Sequence, residues 1–254
     1  MQSIMEKEIK IKTADNHFIY GKTSGSSRQS LFIVVHGLPG SMDEDLYVEA
    51  ARWFAKHGYA TFRFNLYGAE KGARQLMGST LKTHAADIDT VVRHFRKKGF
   101  KKICLAGHSY GCPSILLSQE QVFDSVVLWD PSYKISFTKK NPGTVSAQYL
   151  KEAKGYLMSW GVNFIIGEDM ANEADALKWN TLTKDFNVPF RIIAAGKGIL
   201  LTGAKHYGKV ASTPNDLVVL KEATHYFNDK DDMREKLFKA TDAWFKKDRK
   251  LHLR

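Results

Sequence analysis

Apolar runs of strand length recur along the chain and alternate with segments whose apolar residues are spaced three or four positions apart. Residues 31–35 are continuously apolar, which is typical of a parallel strand buried on both faces of a sheet. Apolar and polar residues alternate within 8–25, which predicts an N-terminal β-hairpin. Similar apolar runs predict five more strands, at residues 59–64, 103–106, 126–129, 190–195 and 217–220.

Segments between these strands show helical spacing. Ser41 followed by Glu44 has the spacing of a capping box and predicts the start of a helix that ends at Gly58. A second helix is predicted before Gly99, and a third amphipathic helix closes the chain around residues 233–244. Strands and helices that alternate in this way predict an α/β fold, with a doubly wound, mostly parallel sheet covered by helices on both faces.

The alternation breaks between residues 133 and 187, where no buried strand is predicted and aromatic residues lie in sequence that we interpret as helical. This gap is roughly three times the length of a normal crossover, and a compact domain rarely carries a structureless loop that long. We therefore expect a small helical cap, or lid, inserted after the strand that ends at Trp129. The predicted division is a core of residues 1–132 and 188–254 and a cap of residues 133–187.

Composition changes this picture little. Hydrophobic residues make up 43% of the chain and charged residues 26%, as in a soluble globular protein. The net charge of +11 invites a nucleic-acid or anionic-surface partner, but the basic residues are spread along the chain without an arginine-rich arm. We expect no nucleic-acid partner, no membrane span and no signal segment, and hence a cytoplasmic protein, with a homodimer left open.

The sequence predicts no metal and no cofactor. Cys104 and Cys112 fall in a predicted strand and the helix after it, where we expect buried free thiols. The chain has no His-Glu-x-x-His pattern and no cysteine cluster, and the glycine-rich loop 37–40 lacks the Lys-Ser/Thr of a phosphate-binding loop.

The motif richest in chemistry is Gly107-His108-Ser109-Tyr110-Gly111, directly after the predicted strand 103–106. A strand that turns at once into a helix forces its serine into a strained conformation, and the residues two before and two after must be small. The serine hydroxyl then stands at the carboxyl end of the strand. Ser109 is therefore a candidate nucleophile.

These motifs make the chain resemble the α/β-hydrolase family, and its small serine esterases, acyl hydrolases and thioesterases in particular. The resemblance rests on His36-Gly37-Leu38, the Ser109 motif and Thr224-His225, in that order, and it covers nearly the whole chain apart from the cap. It implies a serine nucleophile, a histidine base, an orienting carboxylate and an oxyanion hole. In such an oxyanion hole the two backbone donors would be Tyr110, which follows the nucleophile, and Leu38.

The base and the acid can also be argued from placement. His225 follows the last predicted strand and therefore lies at the sheet edge where Ser109 emerges; His206 is a weaker rival. Most family members carry the acid after the penultimate strand, but here that loop starts Ala195-Gly196-Lys197-Gly198 and contains no carboxylate. Asp130, which ends the strand 126–129, is the better candidate than Asp216, and it satisfies the nucleophile–acid–base order. Glu168 or Asp169 of the cap, or a dyad without an acid, remain alternatives.

The leading hypothesis is a serine hydrolase that cleaves a small carboxylic ester or thioester through an acyl-enzyme on Ser109. The aromatic residues of the cap favour a substrate with an apolar or aromatic group. Two alternatives stay open at this point. The same triad serves an acyltransferase or a C–C hydrolase, and the missing acid after Gly196 would suit a binding protein that keeps the fold without catalysis.

Overall fold

The computed structural model describes residues 5–138 and 147–248. Its strands are β1 (Lys7–Lys12), β2 (Phe18–Ser24), β3 (Ser30–Val35), β4 (Ala60–Phe64), β5 (Lys102–His108), β6 (Ser125–Trp129), β7 (Gln148–Leu150), β8 (Gly155–Ser159), β9 (Asn163–Gly167), β10 (Phe190–Ala195) and β11 (Asn215–Leu220). Its α-helices are α1 (Asp45–Lys56), α2 (Leu81–Lys97), α3 (Gly111–Leu116), α4 (Glu168–Ala176), α5 (Leu201–Val210) and α6 (Met233–Asp248). None of the described helices is both long and apolar enough to cross a membrane.

Eight strands form one sheet in the order β1-β2-β4-β3-β5-β6-β10-β11. The six strands from β4 to β11 in this order are parallel, and the N-terminal hairpin β1-β2 joins β4 in antiparallel orientation. The structure thus confirms the doubly wound, mostly parallel sheet and the N-terminal hairpin. Because the parallel strands share one direction, the carboxyl ends of β3, β5, β6, β10 and β11 meet at a single edge.

Both faces of the central strands are buried. Leu31, Ile33 and Val35 pack into one hydrophobic layer with α2, α3 and α5, whereas Phe32 and Val34 pack into the other layer with α1 and α6. Burial on both faces explains why the predicted strands read as continuous apolar runs rather than as alternating patterns. Cys104 and Cys112 are buried thiols that are not joined in a disulfide, as predicted.

The segment after β6 differs from its expected helical structure. Strands β7, β8 and β9 form a separate antiparallel sheet, and α4, which follows them, is the one α-helix among the described residues of this segment. A tight turn at Gly161, whose φ is 81°, joins β8 to β9, and Trp160 N donates to Val162 O across it. Tyrosine, phenylalanine and isoleucine dominate the strands and favour β-structure. The expectation of a helical cap is therefore corrected to a mixed segment. Its boundaries at 133 and 187 remain predictions, and residues 139–146 lie outside the described part.

The predicted capping box is also wrong. Helix α1 begins at Asp45, and its N-cap residue, Glu44, makes no side-chain capping hydrogen bond. Glu44 N donates instead to Ser41 O at 3.3 Å, so Ser41 to Glu44 forms a separate turn before the helix. A capping box does start α2, where Thr80 and Thr83 exchange side-chain and backbone hydrogen bonds.

The carboxyl end of β6 is anchored to the last helix by one buried hydrogen bond. Trp129 is fully buried, and its indole Nε1 donates to Thr241 Oγ1 at 2.9 Å. We predict that Thr241→Val lowers the free energy of unfolding by about 1–3 kcal/mol, because it leaves the buried indole N–H without an acceptor. Urea denaturation measures this loss.

Thr90→Val is the matched control. Thr90 and Thr241 each donate to the carbonyl four residues earlier in their helix, Ala86 and Leu237 respectively, but no indole contacts Thr90. A stability loss in Thr90→Val equal to that in Thr241→Val would contradict the anchoring role of the Trp129 bond.

Candidate active site

Ser109 stands in the sharp turn between β5 and α3. Its φ is 53°, a conformation that costs free energy for a non-glycine residue. A Cβ on Gly107 would lie 2.8 Å from Ile115 Cδ1, and one on Gly111 would lie 2.6 Å from His36 O. Both neighbours of the turn must therefore be glycine. The turn is tied to the next strand, since Ser109 N donates to Trp129 O at 3.0 Å.

Asp130 and His225 are joined at the same sheet edge. Asp130 Oδ2 lies 2.7 Å from His225 Nδ1, and Asp130 Oδ1 accepts from Ala195 N at 3.0 Å. The carboxylate is fully buried, whereas the His225 side chain is 32% exposed. The bond to Asp130 requires the proton on Nδ1, which leaves Nε2 of the neutral ring as an acceptor.

Ser109 and His225 line one cavity, but in the part of the chain that the structure describes no hydrogen bond joins them. The hydroxyl nearest to Ser109 Oγ is that of Ser132, at 3.3 Å. Ser132 N also donates to Ser109 O at 3.2 Å, and Tyr207 donates its hydroxyl proton to Ser132 O at 2.8 Å. Catalytic hydrogen bonds are often long before a substrate binds, so the observed arrangement is compatible with a nucleophile and its base.

Two backbone amides next to Ser109 and Gly37 have no hydrogen-bond partner among the described residues. Gly37 N donates to the Tyr47 hydroxyl at 3.0 Å and Gly40 N to the Tyr67 hydroxyl at 2.9 Å, while Pro39 has no N–H. Within this loop the Leu38 amide is thus the one left over, and among the described residues neither it nor the Tyr110 amide has an acceptor. These are the two donors that the resemblance implied for an oxyanion hole.

The rival residues lie elsewhere. His206 Nε2 bonds to Asn180 O at 2.9 Å, and Glu168 accepts from the Tyr149 hydroxyl. Asp216 pairs with Arg191 at 2.6 and 2.7 Å, at the opposite end of its strand. Among these candidates, only Asp130 has His225 as its partner. Asp169 does not line the cavity that holds Ser109.

The cavity at this edge has a volume of about 370 Å³. Among the described residues that line it, Asp130, His225 and the Tyr226 phenol are the ionisable side chains. Its apolar and aromatic wall comes from the loops around the sheet edge and from the inserted segment: Leu38, Pro39, Ile135, Trp160, Ile199, Leu200 and Tyr226. Larger depressions of about 640 and 630 Å³ lie near Glu70 and near Arg74, but Ser109 lines neither of them. Chemistry rather than volume therefore identifies the site. No group of three or more metal-ligating side chains occurs among the described residues.

Sequence reasoning missed two features of this site. Ser132 follows the predicted acid by two residues, and that spacing at a strand end was its only signal. Tyr47 contacts His108, which precedes the nucleophile, through a hydrogen bond of 2.9 Å. These residues are 61 positions apart, so no local pattern in the sequence indicated the contact.

Three histidines near the site are buried and held neutral. Desolvation lowers the pKa of His36 to about 4 and that of His84 to about 3, and it holds the pKa of His108 well below its usual value. His36 Nε2 accepts from Leu66 N and its Nδ1 donates to Gly37 O, whereas neither ring nitrogen of His84 has a partner. The fold therefore resists protonation of all three rings.

This burial predicts a stability that depends on pH. In the unfolded chain the rings of His36 and His84 bind a proton near pH 6.5, whereas in the folded chain burial lowers their pKa values to about 4 and about 3. The free energy of unfolding should therefore fall between pH 7 and pH 5, by about 2 kcal/mol for each of these two histidines, and the lowered pKa of His108 acts in the same direction. Urea denaturation at both pH values measures the drop. His84→Leu should reduce it by about 2 kcal/mol, and an unchanged drop in that variant would contradict the prediction.

Comparisons with known proteins identify the family and the fold. The sequence matches the model of the Alpha/beta hydrolase family over residues 32–243, and a search of curated proteins finds no match. Among solved structures, Est1E from Butyrivibrio proteoclasticus with bound ferulic acid has a TM-score of 0.79 at 18% identity, and the match covers 94% of this chain and 98% of that one. The α/β hydrolase GrgF from Penicillium sp. sh18 has a TM-score of 0.76 at 13% identity, with coverage of 96% and 99%.

Mouse α/β hydrolase domain-containing protein 10 gives a TM-score of 0.73 at 16% identity, with coverage of 95% of this chain and 99% of that one. At such identities the likeness to solved structures concerns the fold alone. The match to the family model, in contrast, covers residues 32–243 of this chain, and this range contains Ser109, Asp130 and His225. The chain therefore belongs to the α/β hydrolase family.

Proposed function

We propose that the protein is a serine hydrolase that cleaves a carboxylic ester or thioester. In this proposal Ser109 is the nucleophile, His225 the general base and Asp130 the acid that orients it. The observation that carries the proposal is the 2.7 Å bond between Asp130 and His225, beside a strained serine that lines the same cavity as the histidine. The Leu38 and Tyr110 amides are the proposed oxyanion donors.

The chemistry follows from these positions. Ser109 Oγ attacks the acyl carbon, its proton passes to His225 Nε2, and the carbonyl oxygen becomes an oxyanion held by the two amides. The intermediate then breaks its bond to the leaving alcohol or thiol, which takes the proton from His225. A water molecule attacks the acyl-enzyme with His225 again as base, and the acid product leaves as Ser109 regains its proton.

The buried carboxylate supports this role for His225. Asp130 holds Nδ1–H, so the opposite nitrogen is the one that can accept the serine proton, and the negative charge stabilises the imidazolium that forms. Ala195 N holds the second carboxylate oxygen and fixes its plane. The non-catalytic alternative rested on a missing acid after Gly196, and it loses that support because Asp130 occupies the position beside the histidine.

Solvent access favours hydrolysis over acyl transfer, since about a third of the His225 side chain is exposed and water can reach it. The cavity wall supports a substrate with an apolar or aromatic acyl group, with Trp160 and Tyr226 as the aromatic surfaces. Est1E, which shares this fold, binds ferulic acid, itself an aromatic carboxylic acid. We therefore propose a small ester or thioester whose acyl group is uncharged.

Covalent labelling tests the nucleophile and the triad together. A fluorophosphonate should label the wild type at one site per chain and should leave Ser109→Ala unlabelled, because only an activated serine reacts with it. Asp130→Asn should lower kcat for p-nitrophenyl butyrate by about 10³–10⁴-fold, since the amide no longer holds the required tautomer of His225. Mass spectrometry and steady-state kinetics measure these effects.

Asp216→Asn is the matched control for Asp130→Asn, because Asp216 is a paired carboxylate on the edge strand β11, which β10 separates from β6, and it does not line the cavity. Its kcat should stay within about two-fold of wild type. A wild type that resists labelling, or an Asp130→Asn enzyme with full activity, would overturn the proposed mechanism.

A matched pair of esters tests the uncharged acyl group. p-Nitrophenyl butyrate and p-nitrophenyl hemisuccinate share a four-carbon acyl chain, and the second carries a terminal carboxylate. We predict that kcat/KM favours the butyrate by about 10–100-fold, because none of the described residues that line the cavity is a lysine or an arginine that could pair with a buried carboxylate. The net charge of +11 would favour the anion instead, so the assay is run at 0.15 M salt, where the Debye length is about 8 Å.

Ile135→Lys should reduce the ratio of kcat/KM for the butyrate to that for the hemisuccinate, because it places an ammonium group in the cavity wall. Ile135→Met should leave that ratio unchanged. Faster turnover of the hemisuccinate by the wild type would contradict an apolar acyl site.

A further inference from the structure

We propose that Tyr47 and His108 form a hydrogen-bonded bridge that positions the base and the oxyanion loop relative to the nucleophile. The proposal rests on the proposed function, and it assigns a positioning role to two side chains that do not contact the reacting atoms. We name the chain of contacts Gly37–Tyr47–His108–His225 the positioning bridge.

Three hydrogen bonds make up the positioning bridge. Gly37 N lies 3.0 Å from the Tyr47 hydroxyl, that hydroxyl lies 2.9 Å from His108 Nδ1, and His108 Nε2 lies 2.9 Å from His225 O. Tyr47 and His108 are each only 1% exposed, and the two bonds of the Tyr47 hydroxyl are buried, whereas the bond to His225 O is partly buried. Solvent therefore competes little for the two bonds of Tyr47, which strengthens them.

The direction of every bond is fixed by its two ends. An amide N–H can only donate, so Tyr47 Oη accepts from Gly37. A neutral His108 ring that donates from Nε2 leaves Nδ1 as an acceptor, so the phenol donates in the Tyr47–His108 bond, with the Glu44 carboxylate as a competing acceptor for that proton. A carbonyl can only accept, so His108 carries its proton on Nε2 and donates it to His225 O. Burial supports this arrangement, because it holds the pKa of His108 well below and that of Tyr47 well above the usual values, and both groups stay neutral.

The positioning bridge joins the three loops that carry the proposed machinery. Gly37 precedes the Leu38 amide, His108 precedes Ser109, and His225 is itself the base. Each loop comes from a different part of the chain, and the loop of His225 lies beyond the last strand of the sheet. No strand pairing fixes the distance from His225 to the nucleophile, because His225 lies in no strand. The positioning bridge supplies such a connection.

His225 consequently has two anchors of different kinds. Asp130 holds the ring nitrogen Nδ1, and His108 holds the backbone carbonyl. A ring held by one bond alone can pivot about it, and a shift of about 1 Å in a reacting group can cost about 10²-fold in rate. The rings of His108 and His225 also pack with their centroids 4.6 Å apart. The two anchors together therefore set where Nε2 points.

Substitutions at His108 separate the two halves of the positioning bridge. The oxygen of His108→Asn can replace Nδ1 as the acceptor for Tyr47, but no donor then reaches His225 O. The amide nitrogen of His108→Gln can replace the Nε2 donor, but the Tyr47 hydroxyl loses its acceptor. Tyr47→Phe removes the central hydroxyl. Tyr59→Phe is the matched control. It removes a buried hydroxyl that donates to Asp242 of α6, and Tyr59 does not line the cavity.

The test combines kinetics on p-nitrophenyl butyrate with histidine side-chain NMR. We expect kcat, normalised to fluorophosphonate-labelled sites, to fall about 10–100-fold in His108→Asn and about 10-fold in Tyr47→Phe, with KM within about three-fold of wild type. His108→Gln should lose less than His108→Asn, and Tyr59→Phe should keep the wild-type kcat. The His225 Nδ1 proton signal should broaden or shift in His108→Asn and persist in His108→Gln.

Equal kcat values in His108→Asn and His108→Gln, or losses no larger than in Tyr59→Phe, would overturn the positioning bridge. A wild-type His108 ring protonated on Nδ1 would overturn it as well. The NMR signals need no activity, so a wild type that is neither labelled nor active would refute the proposed hydrolase. The His225 Nδ1 signal in the two His108 variants would still support or refute the positioning bridge.

Discussion

The carboxyl edge of the parallel sheet imposes the constraint on which the site depends. Strands buried on both faces cannot continue into solvent, so each must turn within one or two residues of its end. At this edge the turns force non-glycine residues to positive φ: Ser109 at 53°, Asp130 at 41° and, in the base loop, Phe227 at 52°. Such strain persists only where surrounding contacts enforce it. Here the contacts are backbone bonds between neighbouring strand ends, Ser109 N to Trp129 O and Asp130 N to Ile193 O.

The same edge explains how the proposed acid, Asp130, can stand on β6 rather than after β10. The two strands are direct neighbours, so a carboxylate at the end of either one reaches the same region of the edge. A Cβ on Gly198 would lie 3.5 Å from Asp130 Oδ2, so the loop after β10 passes directly beside the carboxylate. Ala195, the last residue of β10, donates its amide N–H to this carboxylate. In the common family pattern the acid itself follows this strand. A catalytic triad requires a negative charge beside Nδ1 of its histidine, whichever strand carries the carboxylate.

The strands and the shared edge of the site residues could be predicted from the sequence. They depend on the spacing of apolar positions and on the order of the residues along the chain. The six parallel strands are apolar runs, and Ser109, Asp130 and His225 each follow such a run, so a common edge could be inferred. The inserted sheet could not, because the aromatic residues of β8 and β9 also fit a helix unless the turn at Gly161 is recognised as a hairpin turn. Ser41 and Glu44 matched a capping box by spacing, yet tertiary contacts decided otherwise: Met42 N donates to Asn65 Oδ1 at 2.8 Å. The Tyr47–His108 contact depends on how α1 packs against the chain after β3 and at the end of β5. No local pattern in the sequence encodes that packing.

Neutral histidines around the base have an electrostatic consequence for the proposed reaction. The ring of His108 lies 4.6 Å from that of His225, so a positive charge on it would oppose transfer of the serine proton to His225. Burial keeps His108 and His36 uncharged, and their ring protons are committed to carbonyl oxygens of His225 and Gly37. His225 alone among the three has a buried carboxylate as partner. The protein thus places its compensating negative charge at one imidazole and desolvates the others, so that proton transfer from Ser109 is favoured at His225.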